Sequence, residues 1–350
     1  MKKVSLNRKY FGKVIQGLIF TGLAALIVSC QSEETKRPST INLNNMATKV
    51  MVTGQDSDAP SGRVDHTIMV DTVERHFFHH LPENLKENQI TPLPVVFVYH
   101  GQRSSAAGFY RTSGWKELGE SEEFLTVYPQ AYAEKENDNN AALWDNGAMN
   151  IHFDTESTDV VFFREMYAII DSLFAIDKSR VYITGLGAGG GMAMKIAMEA
   201  PELATAIGVV SGLDFGTDAQ PEVENVVSCL MLQGRNDPLL LWKWSNPKPN
   251  AAALMASGAG EQITLFRRSF GFSEDYSVNT SIEGQYALNF SHNDGSAELQ
   301  FILIEGLRYG YPGAKDVSAE RNGVASTTMN AAELFWAFFS EHTKTSAPIQ

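Results

Sequence analysis

Five residues, Gly185-Leu186-Gly187-Ala188-Gly189, stand between a β-prone run, Val181-Tyr182-Ile183, and a helix-prone stretch that starts at Met192 and closes at Pro201. A strand turned this sharply into a helix presents backbone N–H groups and one central side chain at the carboxyl edge of a parallel sheet, where open α/β folds bind ligands. Two chemistries use such a bend. In G-x-S-x-G the central serine is held clear of the backbone as the nucleophile of acyl transfer. Here Gly187 occupies the centre, so the frame is present and the attacking atom is missing. In G-x-G-x-x-G the glycines let a pyrophosphate approach the backbone, and Gly185, Gly187 and Gly190 fit that spacing, with Asp214 downstream as a ribose-binding acid. The bend alone leaves both readings open.

The flanking chain must supply the elements that hold this bend. Residues 64–70 and 73–80 predict two strands joined by a turn near Asp71, residues 94–100 a wholly apolar third strand, and residues 124–128 a fourth, stopped by Pro129. Residues 159–174 have helical spacing, with Phe162, Met166, Ile169, Ile170 and Leu173 on one side. Beyond the bend, strands are expected at 206–211, 227–233 and 298–304, and a closing helix at 327–342. Strands alternating with helices predict an α/β fold, a mostly parallel central sheet with helices on both faces. A dinucleotide fold opens with its glycine motif, whereas this bend follows four strands and a helix, which weighs against the pyrophosphate reading. No cofactor is expected. No metal is either, because strand alternation puts His76 and His80 on one face and His79 on the other.

Residues 1–13 carry Lys2, Lys3, Arg8, Lys9 and Lys13 with no acid, and an apolar run follows from Val14 to Val28. With the ending Ile27-Val28-Ser29-Cys30 this resembles a bacterial lipoprotein signal, cleaved before Cys30 so that the thiol is acylated. Residues 1–29 are therefore expected to be removed, the polar stretch 30–62 to act as a tether, and 63–345 to form the domain. Gln31 after the cysteine resembles lipoproteins of the outer membrane. The expected location is the bacterial cell envelope, with the membrane as a partner through the lipid. Removing residues 1–29 takes away five basic residues and no acid, leaving a net charge of −18 where the full chain has −13. So acidic a chain has no basic patch to neutralise phosphates, and nucleic acid is not an expected partner. With Cys30 acylated, Cys229 has no disulfide partner and sits in an apolar run, as a buried inert thiol.

A series of motifs runs through Val96-Phe97-Val98-Tyr99-His100-Gly101, Tyr128-Pro129-Gln130, Trp144 and Thr158 to Phe162, then the stretch from Asp177 to Ala193. Leu232 to Asp237 and Gly310-Tyr311-Pro312-Gly313 complete it. In kind and order the series resembles the polyhydroxybutyrate depolymerase and feruloyl esterase family of α/β-hydrolases, and the likeness extends over residues 63–342. It implies an α/β-hydrolase fold, ester hydrolysis as the family's chemistry, and a Ser-Asp-His triad. Asp237 falls where the family keeps the aspartate that orients the histidine. Gln102, after His100-Gly101, falls on the oxyanion loop, and the Ala188 N–H follows the nucleophile position as a second oxyanion donor. Gly187 replaces the serine, and Tyr309 replaces the histidine.

The triad needs a hydroxyl that attacks and an imidazole that takes and returns its proton near neutral pH. Glycine supplies no such atom, and a phenol with an ordinary pKa near 10 is a poor base. An oxyanion hole and binding alone leave about 10³- to 10⁴-fold over water. The expected function is thus a catalytically inactive, esterase-like binding or accessory protein for small-molecule, polysaccharide or acyl-ester ligands. The alternative is an active carboxylic ester hydrolase with a non-standard nucleophile, Ser104, Ser105 or Ser211, and His292 as base. Glycine takes positive φ freely, so the bend is expected to persist without strain, with Tyr309 and Asp237 hydrogen-bonded in the old relay slot. Trp144, Trp242, Trp244, Tyr309 and Tyr311 would offer flat surfaces to a sugar or aromatic ester wherever they border the cleft, Trp144 and Tyr311 being the chosen ligand-binding candidates.

Overall fold

The run Leu93–Tyr99 is buried at every position, which a strand achieves only with layers packed on both of its faces. The computed structural model describes residues 51–52, 62–85, 91–133, 143–145, 158–212, 223, 225–237 and 250–344. The expected signal segment, Cys30, most of the tether, Asp214, Trp242 and Trp244 lie outside the described residues. One sheet contains β1 (Met51–Val52), β2 (Arg63–Val70), β3 (Val73–His80), β4 (Leu93–Tyr99), β5 (Leu125–Pro129) and β6 (Ile176–Leu186). It continues with β7 (Ala206–Val210), β8 (Ser228–Gly234), β9 (Ser277–Asn279), β10 (Gln285–Ser291) and β11 (Glu298–Ile304), in the order β1-β2-β3-β5-β4-β6-β7-β8-β11-β10-β9.

The middle of the sheet, from β5 to β11, is parallel; β4, β5, β7 and β8 are buried throughout, while β6 and β11 keep partly exposed positions. Both flanks are antiparallel. The β2–β3 hairpin turns at Asp71, which takes a left-handed φ of 55°. Strands β9 and β10 were not expected, for a physical reason: β9 is exposed throughout, and only three of the seven β10 residues are buried.

Helices cover both faces. Helices α3 (Thr158–Leu173) and α4 (Ala188–Glu199) pack their Phe162, Met166, Ile170, Met194 and Ile196 into one core. In chain order, α1 (Ala106–Thr112) and α2 (Trp115–Glu122) lie with the closing helix, Ala331–Ser340, in the other core. That closing helix starts four residues later than its apolar pattern suggests, because the Asn330 side chain caps it by accepting from the N–H groups of Ala332 and Glu333. Its Phe335 lies so close to β7 that a Cβ on Gly208 would sit 2.6 Å from the ring, and Phe339 stacks on Tyr182 at 4.7 Å. Cys229 is a buried free thiol whose pKa burial pushes up. Among the described residues no helix is long and apolar enough to cross a membrane.

Register brings the strand ends to one edge. Tyr99 pairs with Gly185, Leu186 with Val210, Val210 with Leu232, and Gly234 with Ile304. The segments leaving that edge carry Gln102, Gly187, Ser211, Asp237 and Tyr309, which is how residues spread over more than half the chain become neighbours.

Two buried imidazoles make the fold acid-sensitive. Burial lowers the pKa of His79 to about 3, helped by the neighbouring His66 and His80, and lowers that of His100 to about 4. Unfolded imidazoles titrate near 6.5, so below that pH the unfolded chain binds more protons and stability falls, whereas above it the full stability remains. The urea midpoint is therefore expected to drop as pH falls from 6.5 to 4.5, a loss of roughly 3 to 5 kcal/mol. An unchanged midpoint over that window would contradict the burial of these groups in neutral form.

Candidate active site

The bend is built by steric exclusion. A Cβ on Gly185 would overlap the Gly189 carbonyl group, and a Cβ on Gly189 would sit 2.5 Å from the carbonyl oxygens of Tyr99 and His100. Hydrogen at 185 lets β6 meet the start of α4, and hydrogen at 189 lets α4 meet the end of β4. Between them Gly187 has φ 56° and ψ −117°, its N–H donates to the Val210 carbonyl (2.8 Å), and its own carbonyl accepts from Gly191 (2.9 Å). A side chain in this conformation is strained, and glycine is not.

The space that a side chain on residue 187 needs is already filled. A Cβ built there overlaps the Tyr309 hydroxyl oxygen and lies 3.2 Å from Cζ of the same ring. Tyr309 is held from several directions. A Cβ on Gly234 would come within 2.6 Å of the Leu307 and Arg308 carbonyls, so the end of β8 rests directly on the chain leading to Tyr309. Asn236 N–H donates to the Leu307 carbonyl (2.9 Å), and buried Asn322 donates from Nδ2 to the Tyr309 carbonyl (2.7 Å).

Asp237 is fully buried at the end of the same turn, where its Oδ2 accepts from Gln233 Nε2 at 2.8 Å. Burial, and secondarily the Asp237 charge, push the Tyr309 phenol up to about 12, so it stays protonated at neutral pH and serves as neither base nor nucleophile. The Tyr309 hydroxyl makes no hydrogen bond among the described residues, and the expected Tyr309–Asp237 bond is absent; the two interact through space.

The oxyanion side is firmly set. His100 is buried, accepts from Ala131 N–H at Nε2 (3.1 Å), and bonds the Gly101 carbonyl through Nδ1 (2.8 Å). Trp144 donates from Nε1 to the His100 carbonyl (2.9 Å) with its ring 5.0 Å from Tyr99. Both of its faces are covered, which corrects the expectation that it offers a flat surface to a ligand: Trp144 braces the loop. Tyr311 is likewise almost fully buried, accepting from Trp115 Nε1 (2.7 Å) and meeting Phe109 edge-on, so it supports the floor of the cleft and is not a stacking platform. Gln102 is exposed at the cleft, and Ala188 begins α4 directly after Gly187.

Among the described residues, the alternative nucleophiles and base are not brought together. Ser105 caps α1 by accepting from Gly108 N–H (3.1 Å), Ser104 lines the cleft, and buried Ser211, at φ 50°, has no hydrogen bond from its Oγ. His292 packs on Phe272 at the β10 hairpin, away from the cleft lining. Asp294 and Ser296 both meet its Nδ1, at 2.5 and 3.4 Å, so the three cannot pass a proton across the ring. Of the strand histidines, His66 bonds His79 (2.8 Å) and His80 bonds Glu120 (2.5 Å), while His76 is solvent-facing.

The cleft is a cavity of about 670 Å³ over Tyr309 and Gly310. Its rim carries Arg103, Arg111, Arg308 and Arg321, residues that no local pattern in the sequence singles out.

The Esterase family model matches residues 72–266, more than half of the chain. The chain belongs to that family. Among curated proteins, this esterase-family chain is 24% identical over 266 residues to poly(3-hydroxyalkanoate) depolymerase C of Paucimonas lemoignei, covering 71% of this chain and 61% of that one. It is 27% identical over 138 residues to a probable acetylxylan esterase A of Neosartorya fischeri, covering 39% of this chain and 34% of that one. The match therefore spans less than two thirds of either relative. Among solved structures, an S-formylglutathione hydrolase from Agrobacterium tumefaciens superposes with a TM-score of 0.51 at 14% identity, over 84% of this chain and 99% of that one, which shows a shared α/β-hydrolase fold.

The overlap at residue 187 is open to a double-mutant cycle. Gly187→Ala should destabilise by about 2 to 4 kcal/mol, the sum of backbone strain and the clash with the phenol. In a Tyr309→Phe background, which removes the overlapping oxygen, the same change should cost at least about 1 kcal/mol less. Equal costs in both backgrounds, measured by urea unfolding, would mean that the two residues do not meet.

Proposed function

We propose that this esterase-family protein has lost serine hydrolase chemistry and acts as a binding or accessory protein for carbohydrate or acyl-ester ligands. The observation that carries the reading is the Tyr309 hydroxyl lying in the space a nucleophilic side chain would need on residue 187. Site and plug exclude each other, so the loss is structural as well as chemical. The relatives named as a polyhydroxyalkanoate depolymerase and an acetylxylan esterase act on esters of polymers, which suggests the ligand class carried over to this cleft. Cys30, with the signal-like segment before it, supports an outer-membrane lipoprotein of the bacterial cell envelope.

The purified wild-type protein is expected to take up no fluorophosphonate label and to hydrolyse p-nitrophenyl acetate no faster than the about 10³- to 10⁴-fold over water that an oxyanion hole and binding alone leave. The double variant Gly187→Ser/Tyr309→His, which vacates the plug and restores both lost groups beside Asp237, should gain hydrolysis and label at residue 187. Stoichiometric labelling of any serine in the wild-type chain would overturn the reading in favour of an active hydrolase.

A further inference from the structure

The charges around the cleft do not match the rest of the molecule. The chain is acidic, with a net charge of −13, and six of the eleven arginines in the described residues form ion pairs with carboxylates. Five have no carboxylate partner among the described residues, and four of those five, Arg103, Arg111, Arg308 and Arg321, line the cavity over Tyr309. Among the lining residues the carboxylate is Asp316, and none of the four arginines pairs with it. Placing like charges together without counter-charges costs free energy in the empty protein, and an anion entering the cavity offsets that cost.

Two of these side chains are placed with care. Arg103 follows Gln102 with φ 59°, a left-handed backbone that strains a non-glycine residue. Arg321 donates to the Asp316 backbone carbonyl and, from Nε, to Asn322 Oδ1 (3.2 Å). These neutral acceptors orient the guanidinium and leave its charge unanswered. The four arginines also form two walls. Arg103 and Arg111 come from the segment after β4, and Arg308 and Arg321 from the segment after β11. A ligand answering both walls needs an anionic group at each side, and guanidinium favours planar oxyanions that accept two parallel hydrogen bonds.

We infer that the cavity binds an acidic oligosaccharide, a short sugar chain with two or more carboxylate or sulfate groups, one engaged from each wall. The sugar part rests on the binding reading above, and the anionic part on the arginines alone. A volume of about 670 Å³ is of the size that encloses such a ligand.

The test is calorimetric titration of the purified protein with trigalacturonate, with neutral xylotriose and with inorganic sulfate. Trigalacturonate should bind most tightly, and its affinity should fall as salt rises from about 20 to about 200 mM. Arg111→Gln/Arg308→Gln should weaken it at least about tenfold. Arg268→Gln, an exposed and unpaired arginine outside the cavity, should bind as wild type. Absence of trigalacturonate binding, or unchanged affinity in the double variant, would overturn the inference. Tighter binding of xylotriose would overturn the anionic class while leaving a non-catalytic binding cleft, and sulfate binding as tight as trigalacturonate would overturn the need for two linked groups. Ester turnover by the wild type would instead count against the preceding reading and leave this one standing.

Discussion

Two atoms cannot share the space above Gly187, and the Tyr309 hydroxyl holds it. Much of the surrounding structure can be understood as enforcing that occupancy. The approach of β8 to residues 307 and 308 needs a glycine at 234, the Asn322 amide ties down the carbonyl of Tyr309, and Asn322 also fills the place a side chain on Gly310 would take. On the opposite side Gly185 lets β6 meet the start of α4 and Gly189 lets α4 meet the end of β4, with Gly187 between them at φ 56°.

The electrostatics agree with the sterics. A hydroxyl buried beside a carboxylate becomes harder to ionise, and Tyr309 is pushed to about 12 by burial and Asp237 together. Asp237 accepts from the Gln233 amide, next to the neutral Tyr309 phenol. The open part of the cleft is lined by four arginines in an acidic protein.

How much of this was legible in the chain depends on whether the signal was local. The parallel strands announced themselves because strands buried on both faces are apolar runs, as in residues 93–99, and Gly187, Asp237 and Tyr309 could be placed because strand ends fix their neighbours. Strand β9 escaped because an exposed three-residue edge has no apolar pattern. The Trp144 and Tyr311 expectations failed because an aromatic side chain reads the same whether it braces a loop or faces a ligand; only the partners, the His100 carbonyl and Trp115, tell which. The arginine rim was hidden by distance, with Arg103 and Arg321 far apart in the chain and the net charge pointing the other way. Tertiary contact alone reveals a charge cluster of that kind.

The most direct measurement of the central claim is a crystal structure of the Gly187→Ser variant at a resolution that shows the Tyr309 ring. Mutual exclusion predicts that the phenol is driven out of the socket, its ring swung toward the cleft and its hydroxyl more than 3 Å from the new Cβ, a separation real Cβ atoms keep. A serine seated over an unmoved Tyr309, with the bend otherwise unchanged, would contradict the account.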